Sequence, residues 1–295
     1  MSLESMAQNI VYGLFVGGIY GIAAVGLSLS FGVMNVLNIA HGELLMFGGY
    51  ISFWLFSLLG IDPFVSLLVC IPALFLIGLL LDRLVYRHVA RLRGEAKIKN
   101  SLLISFGLVL ILQNLAIRLF TADERTTQVS YIGQGLNLFG IALPYTRLLS
   151  LGIALITILA LHLFLQRTDP GKAIRATAED WEAAELSGIN VPRVYMLTFA
   201  LGAALAGIAG TLVSVTASVA PSIGLEWTLK ALIVVVLAGT GSIIGAFPAG
   251  LLLGLVEALS GIFINASYRE LVGLIIFLLV LLIRPQGLFG SQEAT

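Results

Sequence analysis

The chain is 295 residues long, with 59% hydrophobic and 11% charged residues, a formal net charge of zero and a mean hydropathy of +1.03. Soluble domains carry about 25% charged residues, so this composition excludes a soluble globular protein and indicates one embedded in a membrane. The absence of net charge argues against a nucleic-acid-binding protein. The single cysteine, Cys70, lies in an apolar run and has no second cysteine in the chain to pair with.

Apolar runs of the length needed to cross a bilayer, about 20 residues each, recur along the whole chain. They fall near residues 8–30, 42–60, 63–86, 101–120, 148–166, 194–218, 227–239, 244–264 and 269–284. Several are short or interrupted by glycine and proline, so we expect an all-α polytopic membrane protein with about eight to ten transmembrane helices, some of them broken. No long polar region separates the runs, which indicates a single transmembrane domain over residues 1–295. Residues 1–7 contain neither Lys nor Arg, unlike a cleavable signal peptide, so the first run is expected to remain in the mature protein.

Basic residues predict which loops face the cytoplasm. Eleven of the 16 Lys and Arg residues lie in the connectors 82–100 and 167–193 and at Arg284, which alternate to one side of the membrane. The positive-inside rule makes that side cytoplasmic. The loops 121–147 and 219–226 are then external, and the alternating apolar residues of the first fit either a short hairpin or a membrane-surface helix. Nine full crossings place the N-terminus outside, whereas a half-crossing near residues 31–41 would reverse it.

The first break is a polar, glycine-containing stretch at residues 30–50 that separates two apolar runs. Its polar and glycine positions include Asn35, Asn38, His41, Gly42 and Glu43. Polar groups and irregular backbone at membrane depth are costly unless protein or water satisfies them. Both an ordinary interfacial loop and a broken helix that lines a translocation pathway fit the pattern. His41 and Glu43 alone are too few ligands for a metal, so no metal site is expected.

The polar segment, residues 167–193, is the longest polar stretch of the chain. Asp169 as N-cap and Pro170 at the first helical position predict a helix, which alanines and straight-chain residues fill from Lys172 to Leu186. Gly188 is expected to end it. The predicted helix is amphipathic and has an exposed Trp181, which favours a docking helix for a soluble partner over a plain loop or a lipid-surface helix.

The second break, residues 238–259, interrupts a run with several glycines, among them Gly241 and Gly245. Small residues at four-residue steps, here and at Gly13, Gly17 and Gly21, predict close helix packing. Two glycine-interrupted segments, one in each half of a transporter, also indicate a pathway. Lys230 and Glu257 lie in otherwise apolar runs, where they either pair with one another or snorkel to an interface.

Several motifs of enzymes are missing from the sequence. Gly171-Lys172 is followed by Ala173 and lacks the upstream glycine of a phosphate-binding loop, so the chain is not expected to bind ATP itself. The sequence also indicates no Ser/His/Asp or Cys/His constellation and no dinucleotide-binding motif. We therefore expect a protein that is not an enzyme and has no cofactor.

Four stretches resemble the LivH-type permeases of the branched-chain amino acid ABC importer family. They are GLFVGGIYGIAAVGLSLSFGVMNVLNIAHGELLMFGGY (13–50), DPGKAIRATAEDWEAAELSGINVPRV (169–194), GTGSIIGAFPAGLLLGLVEAL (239–259) and RPQGLFG (284–290). The resemblance implies a type II-like importer permease fold in the bacterial inner membrane. It implies four partners besides membrane lipid: a second, LivM-like permease, two ABC ATPase subunits that bind the ATP, and a periplasmic substrate-binding protein. The substrates expected are branched-chain amino acids or related small amino acids and amides.

The resemblance also assigns roles to particular residues. It makes the polar segment a cytoplasmic coupling helix in a groove of the ATPase, with the contact positions Lys172, Ile174, Arg175, Glu179, Trp181, Glu182, Ala184, Glu185 and Gly188. It places Asn38, His41, Gly42 and Glu43 at the translocation pathway, and the interrupted runs add Asn35, Gly241 and Gly245. The alternative is a secondary transporter or facilitator of small polar solutes that acts without an ATPase. A structural membrane subunit without any flux is a third class.

Overall fold

The computed structural model describes residues 3–89, 94–138, 140–239, 241–263, 265, 268–284 and 286–290. In these residues the first half of the chain forms α1 (Leu3–Met34), α2 (His41–Leu59), α3 (Pro63–Leu81), a π-helical turn (Asp82–Tyr86), α4 (Arg87–Val89) and α5 (Gly94–Phe120). A hairpin of β1 (Gly135–Leu138) and β2 (Ile141–Pro144) follows. The second half forms α6 (Tyr145–Arg167), α7 (Asp169–Glu179), α8 (Trp181–Leu186), α9 (Val191–Thr216), α10 (Ile223–Ala238), α11 (Ala246–Phe263) and α12 (Arg269–Ile283).

Seven helices of the described chain are long and apolar enough to cross a membrane: α1, α2, α3 with the turns after it, α5, α6, α9 and α11. The shorter helices α10 and α12, with 16 and 15 residues, occupy the runs predicted at 227–239 and 269–284. All nine predicted runs are therefore helical, and the expectation of an all-α, multi-pass membrane protein is confirmed.

Two helices form the centre of the packing, α1 and α9, and glycines let their neighbours approach closely. A Cβ on Gly17 would lie 2.7 Å from the Leu251 Cα of α11, and one on Gly207 would lie 2.9 Å from the Leu74 Cγ of α3. Helices in lipid gain little from the hydrophobic effect between them, so close van der Waals packing of this kind is what holds them together. The prediction that the four-residue steps of small residues mark helix packing is confirmed.

The loop 121–147 carries the β-hairpin, which decides between the two predicted forms. Gly135 pairs with Pro144 and Leu138 with Ile141 in an antiparallel register. The side chain of Gln8 exchanges two hydrogen bonds with the backbone of Ala142, at 2.8 and 2.7 Å. The N-terminal end of α1 therefore lies on the same side as this loop, as nine full crossings require.

A second contact anchors the same loop to the start of α3. The Tyr131 hydroxyl donates a 2.6 Å hydrogen bond to Asp62, whose other carboxylate oxygen accepts from the Phe64 N–H and caps α3. Burial and the neighbouring Asp62 carboxylate raise the pKa of Tyr131. Tyr131 thus stays a neutral hydrogen-bond donor at physiological pH and fixes the loop over the α2–α3 turn.

Candidate functional site

The first break is a non-helical turn between α1 and α2. Helix α1 ends at Met34, Asn35 follows with φ +52°, and residues 35–40 are not helical. His41 then begins α2 with its Nε2 only 2.9 Å from the carbonyl oxygen of Ala23. The chain has therefore turned back along α1, and Asn38 is buried at the turn. Val36 and Ala40 are buried as well, so this stretch is not an ordinary interfacial loop, and its role at a translocation pathway stays a prediction.

Side chains from distant elements satisfy the backbone of this break. The Leu37 N–H donates to Ser101 Oγ of α5 at 3.2 Å, and the Tyr86 hydroxyl donates to Asn38 Oδ1 at 2.7 Å. Thr228 Oγ1 of α10 accepts from the Gly42 N–H at 2.9 Å and lies 2.8 Å from the Ile39 carbonyl oxygen. Irregular backbone at membrane depth needs such partners. Ser101, Tyr86 and Thr228 carry no sequence signal for this role other than a polar group within an apolar run.

The Glu43 carboxylate lies where the N-terminal ends of α2 and α10 meet. Glu43 is 1% exposed, and its Oε2 has no hydrogen-bond partner among the described residues. A Cβ on Gly224 would overlap this carboxylate, and a Cβ on Gly42 would overlap the Gly224 carbonyl oxygen. Both glycines are therefore required for the two helix ends to cross. Helix N-termini carry partial positive charge, which favours an anionic group at this crossing.

The connector before α10 forms a further break that the sequence analysis did not predict. The stretch 219–226 was expected to be an external loop, but residues 223–226 are the first turn of α10. Val219 and Ala220 are buried, and Val219 exchanges two 2.8 Å backbone hydrogen bonds with Arg125. Pro221 and Gly224 weaken the helical sequence pattern there, and the sequence therefore predicts a loop at the start of α10.

The second break lies elsewhere, at the C-terminal end of α1. Gly239 and Gly241 have φ values of +101° and +98°, and a Cβ on Gly32 would lie 3.3 Å from the Gly241 Cα. Gly245 packs against Phe289 of the tail that follows α12. His41 contacts α1 at Ala23, whereas Gly241 contacts α1 at Gly32, nine residues further along. The two contacts are therefore about 13 Å apart along the helix. The structure thus brings Asn38, His41, Gly42 and Glu43 together and leaves Gly241 and Gly245 apart from them.

The polar segment forms two helices, so the prediction of one continuous helix is wrong. Asp180 stands between α7 and α8 with extended backbone (φ −151°, ψ 103°), and its Oδ1 accepts from the N–H groups of Glu182 (2.9 Å) and Ala183 (3.0 Å). This side-chain cap competes with helix continuation and starts a new helix. The N-cap of α7 is Thr168, which accepts from the Gly171 N–H at 3.1 Å, and Asp169 is the first helical residue.

Tight contacts join the polar segment to the membrane helices on both sides. A Cβ on Gly171 would overlap the Phe164 carbonyl oxygen, and Arg175 Nε donates to the Leu165 carbonyl oxygen at 3.0 Å, so α7 is held against the last turn of α6. Ile174 is fully buried in the hydrophobic core of the protein. On the other side, Asn190 Oδ1 accepts from the Arg193 N–H at 3.1 Å and caps α9.

The exposed face of the polar segment is mixed in charge and ends in one large apolar side chain. The expected contact positions that are exposed are Lys172, Arg175, Glu179, Glu182, Glu185 and Gly188. Leu186, which the sequence did not indicate as a contact position, is 90% exposed at the end of α8. Ala184 is buried, and Trp181 is half-buried against the core, so the expectation of an exposed Trp181 is wrong.

Lys230 and Glu257 pair inside the membrane domain. Lys230 Nζ lies 2.7 Å from Glu257 Oε1, each side chain is 9% exposed, and the Tyr20 hydroxyl donates to Glu257 Oε2 at 2.9 Å. Glu270, whose Oε1 is 3.8 Å from the same Nζ, lies at the exposed edge of the group. Lys230 and Glu257 were expected either to pair or to snorkel to an interface, and the structure shows that they pair.

Comparisons with known proteins agree on one family. A family model described as "Branched-chain amino acid transport system / permease component" matches residues 9–283. The high-affinity branched-chain amino acid transport system permease protein LivH of Escherichia coli K12 is 34% identical, and its counterpart BraD of Pseudomonas aeruginosa is 33% identical; both matches cover 97% of this chain and 96% of the relative. The ribose import permease protein RbsC of Escherichia coli K12 is 27% identical over 89% of this chain and 81% of its own length. No solved structure matches the chain.

Proposed function

Because the chain belongs to the family of branched-chain amino acid transport system permease components, we propose that it is the permease subunit of an ATP-driven importer of branched-chain amino acids. It is a multi-pass membrane protein, and its relatives are named as permeases. In this proposal it lies in the bacterial inner membrane beside a second, homologous permease. Two ATPase subunits bind and hydrolyse the ATP, and a periplasmic binding protein delivers the substrate. The chain itself has no catalytic role.

The observation that carries the proposal is the joint between the polar segment and the membrane helices. Gly171 and Arg175 hold α7 to the end of α6, and Asn190 caps the start of α9 after the short connector 187–190. A displacement of α7 and α8 therefore moves α6 and α9 with it, and α9 packs against α2 and α1 at the first break. A partner that displaces the segment in this way tilts the helices around the break.

The face that meets the ATPase is the exposed side of α7 and α8. Leu186 is its apolar anchor, since a leucine 90% exposed at the end of a two-turn helix gains by burial in a partner groove. The two helices also carry exposed charges of both signs, Lys172 and Arg175 on α7 and Glu182 and Glu185 on α8. Ile174 and Ala184 act from the other side, where their burial keeps the segment seated on the membrane domain.

The pathway runs past the crossing of α2 and α10. The buried Glu43 carboxylate and the glycine contacts at Gly42 and Gly224 make this crossing sensitive to small shifts of either helix. Alternating access then follows from two arrangements of the crossing, which the nucleotide state of the ATPases selects by differential affinity. The second break, at Gly241 and Gly245, lies at the other end of α10.

The test of coupling is a Leu186→Asp substitution in the assembled importer. We expect substrate-stimulated ATPase activity to fall about 10- to 100-fold, since loss of one buried leucine at an interface costs about 1.5–3 kcal/mol and 1.4 kcal/mol is a factor of ten. The thermal midpoint of the isolated chain should not change, because the side chain is exposed there. Leu186→Met is the matched control and should keep the coupling. Unchanged stimulation in Leu186→Asp would contradict the docking face.

A further inference from the structure

A pocket of about 450 Å³ opens where α3 ends and α9 begins, on the side of the polar segment. Its walls carry Arg83 and Arg87 from the π-helical turn and α4, and Arg193 from the first turn of α9. Met196 adds an apolar wall, and Asp82 closes the buried side. The volume is within the range of small-molecule sites, which is about 300–1,000 Å³.

The charges in this pocket are unbalanced. Three arginines and one carboxylate line it, and none of the three arginines lies within ion-pair distance of a carboxylate in the described part of the chain, although Arg87 is near enough to Asp82 to attract it. Asp82 is buried, and its Oδ1 has no hydrogen-bond partner among the described residues. The start of α9 adds partial positive charge from the N–H groups of its first turn. The pocket therefore attracts an anion, and guanidinium groups match the oxygens of a phosphate in particular.

The position of the pocket identifies the source of the anion. Leu76, Leu80 and Leu84 are 62%, 55% and 61% exposed and form a stripe along one face of α3 and the turn after it. Arg83 and Arg87 continue that face at its end, which is where an apolar helix meets the headgroup layer. Basic pockets between membrane helices on the cytoplasmic side are typical sites for anionic lipid headgroups.

We propose that this pocket binds the phosphodiester headgroup of an anionic phospholipid, with the acyl chains lying along the Leu76–Leu84 stripe. The headgroup bridges α3 to α9 through Arg83, Arg87 and Arg193. Asn190, the cap of α9, lines the same pocket. A bound lipid thus stabilises the joint between the polar segment and α9.

The test is lipid binding to the full-length chain, purified in a neutral detergent and titrated with dioleoylphosphatidylglycerol or dioleoylphosphatidylcholine under native mass spectrometry. The wild-type chain should bind the anionic lipid more tightly than the zwitterionic one. In the Arg83→Gln/Arg87→Gln variant the dissociation constant for phosphatidylglycerol should rise about 30-fold, equivalent to about 1 kcal/mol for each arginine. Phosphatidylcholine binding should not change.

The matched control is Lys99→Gln/Arg118→Gln, which removes the same charge at exposed positions away from the pocket and should retain lipid binding. A single Arg193→Gln variant tests the α9 wall if the double variant does not fold. Equal phosphatidylglycerol binding in the control and pocket variants would overturn the proposal. Displacement of the lipid by glycerol 3-phosphate at equal affinity would assign the pocket to free phosphate instead. Pocket variants that bind lipid normally but lose the ATPase subunits would make it a protein contact.

Discussion

Replacing Lys230 by methionine is expected to destabilise the protein by about 3–5 kcal/mol, because it leaves a buried carboxylate without its counter-charge. The structure sets this magnitude. Lys230 Nζ and Glu257 Oε1 are 2.7 Å apart with both side chains only 9% exposed, and Glu270, at 3.8 Å, belongs to an exposed side chain. The Tyr20 hydroxyl remains on Glu257 in the variant and offsets only part of the loss.

The double variant Lys230→Met/Glu257→Leu measures the net contribution of the ion pair to stability, separately from the cost of leaving one charge unpaired. Taking two charges out of water costs about as much as their attraction returns, so we expect the double variant to be close to wild type. The matched control is Lys99→Met, which breaks an ion pair of the same 2.7 Å length between side chains 75% and 84% exposed. Exposed pairs contribute about 0–1 kcal/mol, so this variant should hardly change stability.

The assay is the thermal unfolding midpoint of the detergent-solubilised chain. At about 2–4 °C for each kcal/mol, Lys230→Met should lower the midpoint by roughly 6–20 °C. A midpoint for Lys230→Met equal to that of Lys99→Met would refute the reasoning. So would a double variant as unstable as the single one, since the cost would then come from packing and not from an unpaired charge.

Two further predictions concern the crossing and the polar segment. Gly42→Ala should lower the free energy of unfolding by about 1–3 kcal/mol and abolish leucine uptake, since the new methyl group overlaps the Gly224 carbonyl oxygen. The control is Gly107→Ala, where the new Cβ has no atom within 4 Å. Wild-type uptake in Gly42→Ala would count against a role of the crossing in transport. Asp180→Ala should lower the free energy of unfolding by about 1 kcal/mol and also lower substrate-stimulated ATPase activity, because α8 loses its cap. Asp180→Asn keeps a capping oxygen and should retain both the stability and the activity. Equal activity in the two variants would mean that the cap does not serve coupling.

The membrane architecture was predictable because hydrophobicity and small-residue spacing act locally along the chain. Nine apolar runs became nine helices, and the glycine step from Gly13 to Gly21 packs against α11 as its spacing predicts. The first break was also recognisable, since Asn38, His41 and Glu43 are too polar for an uninterrupted span. These features depend on the free energy of transferring each residue from water to lipid, and this quantity follows from the residue types in the sequence.

The partners of the break were not predictable, because they come from distant parts of the chain. Thr228 lies 186 residues from Gly42, and nothing in its own surroundings indicates that it caps α2. The division of the polar segment was missed for another reason. Asp180 is tolerated in a helix but is better as a cap, and the neighbouring alanines and glutamates favour helix on both sides. The structure resolves that competition in favour of the cap, since Asp180 accepts hydrogen bonds from the first turn of α8.

The central claim, that partner ATPases drive transport through residues 167–193, is tested most directly by accumulation of labelled leucine in proteoliposomes. With the second permease, both ATPase subunits, the binding protein and ATP present, the account predicts accumulation against the gradient that a protonophore does not stop. Leu186→Asp should reduce this accumulation while Leu186→Met should not. Uphill uptake by the chain reconstituted alone, or uptake that a protonophore abolishes while ATP is present, would contradict the account.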